Sequence, residues 1–189
     1  MNYEIKLKRY IETEIEVLKN LDVNEISTVM NVLEDCRNTG GHIYICGNGG
    51  SAATASHFVC DFNKGISGNL EKKYKFVCLN DNVPLMMAVA NDIGYEDIFR
   101  YPLQGILEEN DCVIGISGSG NSLNVLNAII YAKNCNAKTI AIVGYDGGNL
   151  KKEADYAIHV NIENMQISED IHMILDHAMM YILAGCDGL

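Results

Sequence analysis

Apolar side chains recur at helical spacing across residues 3–38: Ile11, Ile15 and Leu18, then Ile26, Val29, Met30, Val32 and Leu33. The spacing predicts two helices, parted at Asp22, Val23 and Asn24, with Asn24 placed to cap the second. Asn38, Thr39, Gly40 and Gly41 stop it. The period then shortens. Five apolar runs rich in Val, Ile, Tyr and Cys follow at 42–46, 74–79, 112–116, 138–143 and 156–160. Helical stretches separate them at 51–63, 83–90, 121–135 and 148–153, and a last helix is expected over 168–184. Strands alternating with helices predict a parallel sheet covered on both faces. The expected fold class is α/β: a three-layer α/β/α sandwich around a five-stranded, doubly wound parallel sheet, with an N-terminal helical extension.

Composition adds limits. Only two prolines, Pro84 and Pro102, interrupt 189 residues, and no linker or repeat stands out, so residues 1–189 are expected to form one domain. The N-terminal helices, residues 1–38, carry apolar positions beyond one narrow stripe and are expected to pack against other copies. The net charge of −11 argues against nucleic acid as a partner, and an anionic ligand would have to be held by local dipoles. No apolar run is long enough to cross a membrane, and residues 1–8 are not expected to begin a signal peptide. The seven cysteines are odd in number and contain no C-x-x-C pair. Reduced core thiols, and so a cytoplasmic setting, are expected.

Two loops carry the candidate chemistry. Gly47, Asn48, Gly49, Gly50 and Ser51 follow the first strand and open a helix. Glycines let backbone N–H groups approach an anion, the helix dipole favours it, and Ser51 adds a hydroxyl. A tight strand-to-helix turn explains this loop equally well. Ser117, Gly118, Ser119, Gly120, Asn121 and Ser122 follow the third strand. A helix cap explains Asn121 or Ser122 alone, but not three serines. Ligands of open α/β sheets gather at the carboxyl ends of strands, where the strand order reverses. Two such loops at one sheet edge therefore point to a single phosphate pocket.

These motifs occur in a recognisable order. Gly40 to Ser51 with His57 and Phe58, Ala90 to Tyr95 with Phe99, Gly115 to Ser122, Gly144 to Gly148, and Ile171, His172 and His177 resemble the phosphoheptose isomerases of the sugar isomerase (SIS) family over nearly the whole chain. The resemblance implies conversion of sedoheptulose 7-phosphate to D-glycero-D-manno-heptose 7-phosphate, a ketose–aldose isomerisation through an enediol. It implies phosphate contacts from Ser51, Ser117, Ser119 and Ser122, within loops that include Gly49, Gly50 and Gly118. Sugar contacts map onto Asn48 and Asp92. It further implies a homotetramer with sites between subunits and, in many members, a zinc ion.

The family's acid–base pair maps onto Asp61 and His177, and its metal ligands onto His57, Asp61, Glu169 and His177. Asp61 lies four residues after His57, on one helical face. Three positions depart from the family pattern: Asp61 for glutamate, Glu169 for glutamine, and Gly118 for a hydroxyl residue. Glu169 and His177 would lie roughly 12 Å apart along one ideal helix, too far for one ion unless the helix starts irregularly or another subunit contributes. Taken alone, Glu169 and Asp176 read as surface carboxylates of the last helix and His172 as a packed histidine. His42 and His159 read as structural. A competing reading is a non-catalytic SIS module that binds a sugar phosphate or a protein, as in replication-initiation regulators; it has no need of a carboxylate and histidine in the site.

Overall fold

The computed structural model describes residues 2–185; Cys186 lies outside the described residues. Helices α1 (Tyr3–Lys19) and α2 (Val23–Thr39) lead the chain. Asp22, rather than Asn24, caps α2: its Oδ1 accepts the backbone N–H groups of Asn24 at 2.8 Å and Glu25 at 3.4 Å. Gly40, in the left-handed conformation at φ 82°, ends it. There follow β1 (Ile43–Gly47), α3 (Gly50–Cys60), β2 (Phe76–Cys78), α4 (Val83–Asp92), β3 (Cys112–Ser117), α5 (Leu123–Asn134), β4 (Lys138–Val143), α6 (Gly148–Glu153), β5 (Tyr156–His159) and α7 (Met165–Leu183).

The five strands are parallel in the order β2-β1-β3-β4-β5. The chain leaves β1 toward one edge and returns at β3 to build toward the other. The order therefore reverses between β1 and β3, the flavodoxin-like pattern. Side-chain alternation sorts the core into two layers. Ile43, Ile45, Ile114, Ile116, Ile140 and Ile142 meet α2, α3 and α7 through Leu33, Phe58, Ile171 and Leu175. Tyr44, Cys46, Val113, Ala141 and Val143 meet α4, α5 and α6 through Val89, Val125, Ile129 and Leu150. The α/β/α sandwich expected from periodicity is what the chain forms.

Past Cys60 the helix widens into a π-helical turn, Asp61–Ile66. Aromatic packing holds that turn: Phe62 stands 4.4 Å from Phe76 between ring centroids and 5.7 Å from Phe58. Asn63 pairs with the backbone of edge strand β2, donating to the Phe76 carbonyl at 2.8 Å and accepting its N–H at 2.9 Å. Such turns concentrate at functional sites, and this one begins at Asp61. Helix α7 starts at Met165, earlier than expected, because the Asn164 side chain caps it by accepting the Ile167 N–H at 3.1 Å. Glu169 therefore sits in regular helix. Cys46, Cys78 and Cys112 are buried thiols of the strand runs, and Cys36 on α2 is buried as well.

Candidate functional site

The carboxyl ends of β1 and β3 are neighbours, so their loops meet. Asn80 steadies the first, accepting the Gly47 N–H at 3.3 Å and donating to the Gly47 carbonyl at 2.9 Å. The second is tied to the loop after β4: Gly118 and Gly120 carbonyls accept the N–H groups of Gly144 and Leu150, each at 2.9 Å. At Gly120 (φ 65°) a Cβ would stand 2.0 Å from the Gly147 carbonyl oxygen, so only glycine permits that approach. Ser122 occupies the cap position of α5, yet its side chain caps nothing; it lies 3.0 Å from the Ser117 hydroxyl instead. The cap explanation of Ser122 therefore falls away.

The two loops line one pocket of about 260 Å³ with Asn48, Gly49, Ser51, Ser117, Gly118, Ser119 and Ser122. Gly50 opens α3 beside it. The pocket's far wall is α7, through Met165 and Glu169. A Cβ at Gly118 would meet the Met165 sulfur at 2.5 Å, so Met165 fills the room that a longer residue at 118 would need. The Glu169 carboxylate lies against Gly50 at the N-terminus of α3, 2.3 Å from where a Cβ would stand. That end of a helix attracts anions. Asn48 is held on three sides: it exchanges amide hydrogen bonds of 2.9 Å with Asn124, and its Oδ1 accepts the Tyr95 hydroxyl at 2.9 Å. Asp92 stands apart, exposed at the end of α4 and bonded by Asn91.

A second constellation lies further along α7. His57, Asp61, Asp176 and His177 each offer a ligand atom within 4.8 Å of the others. His57 Nε2 is 3.1 Å from His177 Nε2 and 3.6 Å from Asp61 Oδ2. A tetrahedral ion with bonds near 2.0–2.1 Å would set its donors about 3.3 Å apart, so this spacing fits a divalent cation. Glu169 does not join the group; it lines the serine pocket. Asp176 does join, and it is buried, not a surface carboxylate. Burial, with Asp61 adding its charge, pushes the Asp176 carboxyl up to about 8. His172, one turn earlier, is buried as expected, and burial drives its imidazole down to about 4 against a weaker pull from the Val143 carbonyl. His42 and His159 are structural: the first stacks on Tyr44, and the second bridges Lys151 and the Tyr145 carbonyl.

Sequence reasoning gave no site role to Asp176, which it read as a surface carboxylate, nor to Met165, Asn124 or Tyr95. For Asp176 a signal was present. It falls one position after Leu175 and three before Met179, inside the apolar stripe that faces the core.

A doubly wound parallel sheet that gathers serine and glycine loops at its switch point, with a histidine–carboxylate cluster shared between α3, its π-helical turn and α7, defines a SIS-type α/β protein. Residues 8–144 match the SIS domain family. A phosphoheptose isomerase of Helicobacter pylori is 35% identical over 180 residues, covering 95% of this chain and 88% of its own. A probable phosphoheptose isomerase of Thermoplasma volcanium is 33% identical, covering 94% and 90%. The solved phosphoheptose isomerase of Neisseria gonorrhoeae superposes with a TM-score of 0.87 at 28% identity, covering 96% of this chain and 98% of its own. The chain belongs to the SIS domain family and, within it, to the phosphoheptose isomerases.

Proposed function

We propose that the protein isomerises sedoheptulose 7-phosphate to D-glycero-D-manno-heptose 7-phosphate through an enediol. The observation that carries the reading is one helix, α7, reaching both a serine-lined anion pocket and a histidine–carboxylate cluster. Glu169 in the first and His177 in the second lie roughly 12 Å apart along the helix axis. A long phosphorylated chain bridges that gap; a triose phosphate does not. Ser51, Ser117, Ser119 and Ser122 hold the phosphate, and Asn48, fixed by Asn124, meets a sugar hydroxyl. Between them, His177 Nε2 and the Asp61 carboxylate move one proton from C1 to C2 and another between O1 and O2. Zinc is the proposed metal, with His57, Asp61 and His177 to hold it. When bound, it would take up the His177 Nε2 lone pair and supply Lewis-acid polarisation of the substrate oxygens in place of that nitrogen's proton transfer. The non-catalytic reading is not favoured, because a carboxylate and a histidine suited to acid–base work lie in one cluster and the relatives are isomerases by name.

The test is incubation with a panel of ketose phosphates in deuterated water. The expected result is the heptose aldose carrying deuterium at C2, since the enediol returns a solvent-exchanged proton. If no ketose phosphate yields an aldose, the reading fails.

The working unit is a homotetramer in the cytoplasm, with sites completed between subunits. Free cysteines throughout the described residues suit a reducing compartment. Helix α1 buries none of its residues, and Ile5, Leu7, Ile11 and Ile15 are exposed on it. Asp92, outside the pocket within one chain, would meet sugar bound by a neighbouring copy. Light scattering at micromolar concentration is expected to give close to four times 20.8 kDa. Ile11→Glu with Ile15→Glu should lower the mass, because charges in an apolar interface stay uncompensated. A wild-type monomer at that concentration overturns the assembly.

A further inference from the structure

The structure assigns Asp176 as the fourth ligand of the divalent cation, in the role for which the family pattern points to Glu169; the assignment rests on the metal reading of the cluster. Asp176 is completely buried, and neither of its carboxylate oxygens has a hydrogen-bond partner among the described residues. A carboxylate kept out of water without donors or a counter-charge is strongly unfavourable, and buried carboxylates are retained where a cation answers them. What faces Asp176 is a second carboxylate, Asp61, and the imidazoles of His57 and His177. Without an ion, the two carboxylates only burden each other. With one, two nitrogens and two oxygens make a four-donor set of the kind borderline divalent cations take, and a substrate oxygen would enter as a fifth donor.

Glu169 is placed to act elsewhere. It lies two helical turns before His177 on an unbroken helix, with its carboxylate against Gly50. Asp176 is adjacent to His177 in sequence, and its ligand oxygen shares the cluster. The substitution of glutamate at 169 and the aspartate at 176 therefore belong together: one position faces the phosphate pocket, the other the ion. Two carboxylates balance the charge of a dication, and the ion clamps α3 and its π-helical turn to α7.

The experiment uses the full chain stripped of metal. Zn²⁺ is titrated in competition with a chromophoric chelator, and the thermal midpoint is followed with and without Zn²⁺. Asp176→Asn is expected to bind Zn²⁺ at least roughly a hundredfold more weakly, the upper end of the loss from removing a mere outer-shell partner. It should also lose the rise in midpoint that Zn²⁺ gives the wild type. Glu169→Gln should keep both. Asn keeps the shape of Asp176 and carries no ionisable group, so the metal-free variant should melt no lower than metal-free wild type; that separates a lost ligand from a lost fold. The assignment is overturned if Asp176→Asn binds Zn²⁺ like wild type, if Glu169→Gln carries the loss instead, or if the wild type takes up no Zn²⁺. None of these outcomes decides the isomerase reading, which stands on aldose formation from a ketose phosphate.

Discussion

His177→Ala lowers turnover of sedoheptulose 7-phosphate at least roughly a hundredfold, the scale of a lost acid–base group, while the sugar phosphate still binds. His177 is exposed, on the outer side of the cluster, with Nε2 turned toward His57 Nε2. An imidazole can give and take protons near neutral pH. Asp61→Asn removes the partnering carboxylate and has an effect of similar size. The two act as one unit, so the double variant should be little worse than either single one. The phosphate is held by residues of other elements, so Kd should change by less than tenfold. Single-turnover rates and equilibrium binding, measured separately, check both halves of the expectation. Near-normal turnover in either variant removes that residue from the chemistry. Asp61→Glu is the finer probe. The Asp61 carboxylate already stands 3.6 Å from His57 Nε2. One more methylene in so close a cluster should lower turnover, because a small misplacement at a reacting centre is costly.

The sheet was legible in the chain because its strands are buried on both faces and short. Each run at 42–46, 112–116 and 138–143 became a strand within a residue or two. The run at 74–79 shrank to three residues at the sheet edge, where Asn63 takes over part of the pairing. The two serine loops were legible for a different reason: a phosphate nest needs glycine and hydroxyl residues at strand ends, and those types are visible without coordinates. Tertiary placement was not. Nothing in the sequence marks the π-helical turn at Asp61, which depends on Phe58, Phe62 and Phe76 packing across three elements. The position of Glu169 depends on where α7 starts, and Asn164 starts it a turn earlier than the apolar pattern indicated. The Asp176 carboxylate looked solvent-facing because acidic residues on helices generally are.

Ser119→Ala combined with Ser122→Ala weakens inorganic phosphate and sugar phosphate alike, by at least roughly a hundredfold. Hydrogen bonds to a charged group each contribute about 1.5–3 kcal/mol. Losing two amounts to about 3 kcal/mol or more, and every 1.4 kcal/mol is tenfold. Local hydrogen bonds hold both hydroxyls at the pocket, since Ser119 Oγ accepts the Asn121 N–H at 3.2 Å and Ser122 Oγ lies 3.0 Å from Ser117 Oγ. Neither serine builds the core, and Ser122 does not cap α5, so the double variant should fold. Glu169→Gln moves affinity the other way. Its carboxylate lies at the N-terminus of α3, where the substrate's phosphate would gain most, and two anions there repel. The neutral amide keeps the contact and removes the repulsion, so phosphate should bind several-fold tighter, most visibly at low salt where screening is weak. Calorimetry with inorganic phosphate and with sugar phosphate, at two ionic strengths, reads both effects. If the serine variant binds phosphate normally, the anion sits elsewhere. If Glu169→Gln weakens binding instead, the carboxylate holds the sugar's hydroxyls rather than opposing its phosphate.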